Sequence, residues 1–333
     1  MGNCGTLATR TNRSSIETEQ KGLTRVASTR NPFDKLTAIH PRKRITLETG
    51  AVPLTGRMID LFAPLGFGQR ALVVAPPKAG KTTILRQIAA AIRQNFPETV
   101  LFLCLVDERP EEVTEWRMDV QGPGVRVYAS SFDQELARHG RIADLALSEA
   151  KLLVGRGQDV VVLLDSLTRL ARVHNLSTDM WSGPGGRNQR GGYGNRTLSG
   201  GIDAHALEVG RRLFGSARAL EEGGSLTIVA SCLVETGSKL DEVVYEEFKG
   251  TGNLELRLSR ELADRRVFPA IDLHESSTRQ EERLLTPDEL RAMSILRRKV
   301  ADLPKREGAE QVIRVLEKTK SNAQLVSAVL RQE

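Results

Sequence analysis

Aromatic residues make up only 4% of this 333-residue chain, and cysteine is nearly absent. The three cysteines, Cys4, Cys104 and Cys232, form no CxxC pair and offer no metal-ligand cluster, which fits a reducing compartment. No apolar run approaches the roughly 20 residues that span a bilayer, and the first residues lack the apolar segment of a secretory signal. The expectation is a cytoplasmic chain without a membrane partner. Hydrophobic residues at 40% against 27% charged give the balance of a globular protein with a sizeable core. A formal charge of +6 is compatible with a polyanionic ligand, because neutralising phosphates releases condensed counterions.

The chain is read in three zones, the first of which composition sets apart. Residues 1–30 are rich in Ser, Thr, Asn and Arg with no apolar face, and read as a disordered basic arm. Residues 31–303 carry the main α/β domain, and 304–333 a helical tail. Within the main domain, strand-length apolar runs at 71–75, 99–107, 125–130, 159–165 and 225–234 alternate with segments of helical period. Runs so continuously apolar predict parallel strands covered on both faces. The helical faces are read as Ile84, Leu85, Ile88 and Ile92; Ile142, Leu145, Ala146 and Leu153; and Ala206, Leu207, Leu213, Phe214 and Ala217. Thr286-Pro287-Asp288-Glu289 predicts a capped helix start. The stretch 177–201 is too rich in glycine to form a core element. It is either a surface insertion or a basic loop facing a ligand through Arg187, Arg190 and Arg196.

The chemistry concentrates at the C-terminal ends of these strands. APPKAGKT, Ala75 to Thr82, sits directly between a strand and a helix, where backbone N–H groups at a positive helix end can surround phosphate oxygens. In such a loop Lys81 neutralises the β and γ phosphates of ATP, and the Thr82 hydroxyl ligates Mg²⁺. Ala75 replaces the usual first glycine. DVVVLLD ends in Asp165, placed to hold the magnesium, partly through water. A second strand ends in Asp107-Glu108, and Glu108 is the candidate that orients the attacking water. Glu111 and Glu112 read as the acidic start of the next helix.

NPFDKL at Asn31, APPKAGKT, DERPEEVTE at Asp107, LLDSLTRLAR at Leu163, EEGGSLTI at Glu221, TGSKLDEVVYEEFKGTGN at Thr236 and RVFPAID at Arg266 occur in one order. Together they resemble the ATPase domain of the Rho transcription termination family over about residues 31–303. The resemblance implies a RecA-like P-loop NTPase fold, a mainly parallel sheet flanked by helices, with a C-terminal helical segment. It implies an RNA-dependent ATPase and helicase acting in transcription termination as a homo-hexamer on single-stranded RNA, with RNA polymerase as a further partner.

By the same resemblance Gly66, Phe67, Gly68, Gln69, Arg70 and Ala71 form a turn of the ATP site, together with Lys78, Ala79, Gly80, Lys81, Thr82, Thr83 and Arg109. Phe268 stacks on adenine. Arg266 and Arg279 lie at the subunit boundary, Arg279 as the finger reaching the neighbour's γ-phosphate, and Lys239 and Arg196 contact RNA. Family members carry an OB-fold RNA-binding domain ahead of NPFDKL. Thirty residues cannot supply its five strands, so the expectation is a chain without that loading domain. A regulatory subunit co-assembling with a longer partner is the alternative reading, against which Lys81, Glu108, Asp165 and Arg279 argue. A secretion or rotary-type ATPase would leave residues 236–253 unexplained.

Overall fold

A computed structural model describes residues 32–177, 197–198 and 202–331. The basic arm at 1–30 and Arg187, Arg190 and Arg196 of the glycine-rich stretch lie outside the described residues. In chain order the first half builds β1 (Ala38–Ile39), β2 (Arg44–Ile45), α1 (Leu54–Phe62), β3 (Leu65–Gly66), β4 (Arg70–Ala75), α2 (Lys81–Asn95), β5 (Val100–Glu108), α3 (Pro110–Asp119), β6 (Val125–Ser131), α4 (Leu136–Val154), β7 (Asp159–Asp165) and α5 (Leu167–Ser177). The second half builds β8 (Thr197–Leu198), β9 (Ile202–Asp203), α6 (Glu208–Phe214), β10 (Arg218–Leu220), β11 (Ser225–Leu233), α7 (Lys239–Lys249), β12 (Leu254–Arg257), α8 (Arg260–Asp264), β13 (Ser277–Thr278), α9 (Pro287–Ala301), α10 (Lys305–Glu317) and α11 (Asn322–Leu330).

The central sheet follows the order β13-β12-β4-β11-β7-β5-β6, with β10 and β1 added on one side. β12, β4, β11, β7, β5 and β6 run parallel. The near-continuous apolar strands of the sequence are these, and the reason is visible in their two faces. Leu101, Leu103, Leu105, Val161 and Leu163 meet one core with α1, α2, α9, α10 and α11, while Phe102, Cys104, Val106, Val162 and Leu164 meet another with α4, α5, α6 and α7. Cys104 and Cys232 are buried free thiols.

The α2 face of Ile84, Leu85, Ile88 and Ile92 is buried, as are Ala206, Leu207, Leu213, Phe214 and Ala217. On α4 the sequence reading needs correction. Leu145 is exposed, and the buried stripe runs through Ala143, Ala146, Leu147, Ala150 and Leu153. Small residues let this helix lie close to the sheet, so the larger side chain was a misleading guide. Thr286 and Glu289 form the expected reciprocal cap.

The C-terminal helices do not stand apart, since Val312, Leu316, Leu325, Val326 and Val329 join the first core. Arg57 of α1, with no exposed surface, ties them in: its guanidinium donates to Leu316 O at 2.8 Å, Thr319 O at 2.7 Å and Asn322 Oδ1 at 3.2 Å. Removing one partner of a buried charged network leaves the other groups unsatisfied. Arg57→Ala is therefore expected to lower unfolding free energy by roughly 3–5 kcal/mol. A urea midpoint equal to wild type would remove this clamp from the account.

Candidate active site

The phosphate loop leaves β4 at Ala75 and enters α2 at Lys81, so its charges emerge at the C-terminal edge of the sheet. Lys78 and Gly80 both adopt left-handed backbone, with φ of 64° and 91°. At Gly80 the conformation favours glycine, and a side chain there would meet only open space. The first turn of α2 thus faces an open cleft with its N–H groups forward.

Strand order brings the acids to that cleft. β11 stands between β4 and β7, and β5 lies beside β7, so with all four strands parallel Asp165 and Glu108 end on the same edge as Lys81. Lys81 Nζ forms an ion pair with Asp165 Oδ1 and lies 3.8 Å from Glu108 Oε1. Both acids are 1% exposed. Ser231 donates to Asp165 Oδ1 at 2.8 Å, and Arg169 of α5 lies 3.2 Å from Glu108 Oε2. Burial and the Asp165 charge push the Glu108 carboxyl up to about 8, with Lys81 and Arg169 pulling the other way.

These residues fit a magnesium-bound triphosphate. Asp165 Oδ2 and both Glu108 oxygens are buried acceptors without a hydrogen-bond partner, and such atoms ordinarily mark the place of an ion, water or ligand. One carboxylate, the Thr82 hydroxyl and substrate phosphates suffice for magnesium. Beside the loop lies a mostly apolar cleft of about 270 Å³, lined by Pro53, Leu54, Thr55, Ala79, Gly80, Thr83 and Gln87, with Phe268 half exposed at its wall. It suits a flat aromatic base.

The other expected residues fall into two places. Arg109, Arg266 and Lys239 lie on the phosphate-loop edge. Arg109 precedes α3 and sits 3.4 Å from Glu112, Arg266 is exposed two residues before Phe268, and Lys239 is the exposed first residue of α7. The Lys239 turn is anchored to α5, where the Arg172 guanidinium grips Asp241, and Thr236 donates to Asp241 at 2.6 Å.

Gly66–Arg70 and Arg279 lie on the opposite edge. Gln69, Arg70, Asn253, Arg279 and Arg283 line a second cleft of about 260 Å³ there. The five-residue rise of β4 alone separates it from the phosphate loop by about 17 Å. Within this turn Phe67 is buried edge-on against Phe96, and Gly68 lies so near the β10 backbone that a side chain would collide with Ala219. Ala71 is buried in β4. Within one chain, then, the turn at Gly66–Ala71 does not share a cleft with Lys81.

Sequence reading missed Arg169, Ser231 and the wall of the apolar cleft formed by Pro53, Leu54 and Thr55. Arg169 lies four residues after Asp165, in the first turn of the helix that follows β7, a placement that could have flagged it. Ser231 sits inside an apolar strand with no such signal.

Comparison with known proteins bears on this geometry. Residues 56–278 match the ATP synthase alpha/beta family, nucleotide-binding domain. The chain is 49% identical over 303 residues to Transcription termination factor Rho of Pseudomonas aeruginosa, covering 90% of this chain and 68% of that one. It is 52% identical over 300 residues to the protein of the same name from Streptosporangium roseum, covering 90% and 74%. It spans 56% of the length of the Rhodopirellula baltica relative and 60% of that from Akkermansia muciniphila. Among solved structures, an ATPase from the type III secretion system of pathogenic bacteria superposes with a TM-score of 0.71 at 20% identity, over 90% of this chain and 87% of that one. That likeness shows a shared fold. Among the described residues, no helix is long and apolar enough to cross a membrane.

Proposed function

Because the chain belongs to the Rho transcription termination factors, within the ATP synthase alpha/beta nucleotide-binding family, we propose that it hydrolyses ATP to move along single-stranded RNA as a homo-hexameric ring. This motor serves transcription termination at RNA polymerase. The observation that carries the reading is the convergence of Lys81, Glu108 and Asp165 beside a base-sized cleft.

In this reading the N–H groups of Ala79–Thr83 hold the phosphates, Lys78 and Lys81 neutralise them, and Phe268 stacks on adenine. Thr82 and Asp165 would hold magnesium, partly through water, and its charge would offset that of the triphosphate. Arg109 contacts the nucleotide from the start of α3. Glu108 accepts the proton of the attacking water, a task that suits a base titrating near the working pH. Arg279, on the far edge of its own sheet, serves the site of the adjacent subunit, and the turn at Gly66–Arg70 belongs to that same boundary. Arg266 meets the boundary from the base end.

RNA contacts are assigned to Lys239, exposed and without an ion pair among the described residues, and to Arg196. The decisive measurement is ATP hydrolysis by the purified chain with and without single-stranded RNA. No hydrolysis in either case would sink the reading. Lys239→Glu is expected to abolish RNA stimulation while ATP still binds; stimulation equal to wild type would remove α7 from the RNA path.

A further inference from the structure

On the sheet face away from α2 lies a buried pair that the chemistry above does not use. His139 of α4 and Ser130 of β6 are each 1% exposed, and His139 Nδ1 lies 2.7 Å from Ser130 Oγ. The same hydroxyl oxygen accepts a 3.3 Å hydrogen bond from the N–H of Asp107, the residue before Glu108.

Strand alternation reveals what this contact does. In β5, Leu101, Leu103 and Leu105 face the α2 core, and Phe102, Cys104 and Val106 face the α4 core. In β7, Val161 and Leu163 face α2, so Asp165 emerges on that side, where Lys81 meets it. Undisturbed alternation would put Asp107 toward Lys81 and turn Glu108 to the rear. The observed arrangement is the reverse, with Glu108 3.8 Å from Lys81.

The cause is local. Asp107 has a φ of 57°, and the β5–β6 register shifts between Leu105 and Glu108. One extra residue in a strand flips the facing of everything after it. A non-glycine residue in this conformation persists only where its surroundings hold it. Here both polar ends of Asp107 are held: Ser130 takes the N–H, and the Arg169 guanidinium donates to the carbonyl. Phe132 N–H then closes onto Glu108 O at 3.1 Å.

We propose that Ser130 and His139 are positioning residues for Glu108. From the rear of the sheet they hold the left-handed turn at Asp107 and so point the carboxylate at the phosphate loop. His139 fixes the hydroxyl, the hydroxyl fixes the Asp107 amide, and neither side chain touches the reacting atoms. The proposal rests on the role given to Glu108 above.

Ser130→Ala removes the acceptor while keeping the strand. It is expected to lower kcat about 10- to 100-fold, the scale of a catalytic group displaced by about 1 Å, with the Kd for ATP unchanged. Ser130→Thr, which keeps a hydroxyl on a β-branched side chain suited to a strand, is expected to recover most of the loss. A second readout needs no turnover. Zero-length carbodiimide crosslinking of the wild-type chain should join Lys81 to both Glu108 and Asp165, as mapped by mass spectrometry. In Ser130→Ala the product with Glu108 should fall several-fold relative to that with Asp165, which serves as internal reference.

A wild-type chain that hydrolyses no ATP, yet shows this altered ratio in Ser130→Ala, would refute the hydrolytic reading and sustain the positioning one. An unchanged ratio overturns the proposal. So does a parallel loss of ATP affinity and turnover that Ser130→Thr fails to recover, since that pattern marks general damage to the fold.

Discussion

Glu108→Gln is expected to cut ATP turnover by roughly 10²- to 10⁴-fold, the usual contribution of a positioned general base, while ATP binding persists. The substitution keeps the size of the side chain and removes only its ability to take a proton. It also relieves a conflict in the unliganded fold. Burial and the nearby Asp165 charge raise the Glu108 carboxyl from its ordinary 4.5 to about 8, against the pull of Lys81 and Arg169.

Because the native state then binds its proton more tightly than the unfolded chain, the stability Glu108 contributes is fully present below 4.5 and is lost as pH rises toward about 8. Glutamine does not titrate, so this decline is absent from the variant. Thermal melts across that range, without nucleotide, should show Glu108→Gln gaining on wild type as pH rises. Turnover near wild type, or parallel melting curves at every pH, would contradict the assignment of this carboxyl.

How much of this site could be read in the sequence depends on how local each feature is. Lys81 and Asp165 were legible because a loop between strand and helix, and an acid ending an apolar run, are patterns of neighbouring residues. Glu108 was legible as a strand end, but its facing was not. Alternation alone would have chosen Asp107, and the bulge that reverses the choice depends on Ser130, more than twenty residues on.

Arg57 was invisible for a related reason. A fully buried arginine is rare, and its partners Leu316, Thr319 and Asn322 lie some 260 positions away. The tail at 304–333 was legible as helical, but that does not say what its helices bury against. Similarity in the string Gly66–Ala71 suggested an ATP contact without saying whose ATP. The direction of β4 shows only that the turn and the loop stand at opposite ends of one strand, so the two do not meet within one chain.

That separation makes Arg279 the sharpest test of assembly. Arg279→Ala is expected to lower turnover by about 10³- to 10⁵-fold, the range known for an arginine finger, while each chain still binds ATP. Arg279 follows β13, whose Thr278 pairs with Leu254 beside Ala71, at the edge of the sheet remote from Lys81. An arginine side chain reaches roughly 7 Å and cannot cross the about 17 Å of intervening strand, so an internal finger is sterically barred.

Two inactive chains should therefore repair each other. Lys81→Ala lacks the phosphate lysine but keeps its arginine, and Arg279→Ala keeps the phosphate loop but lacks the finger. Where the loop of the second meets the arginine of the first, one boundary is complete. Mixing the two should restore hydrolysis that neither shows alone, with a maximum at intermediate ratios. A finger acting within its own chain would give no recovery at any ratio, because every chain in the mixture would then carry a broken site.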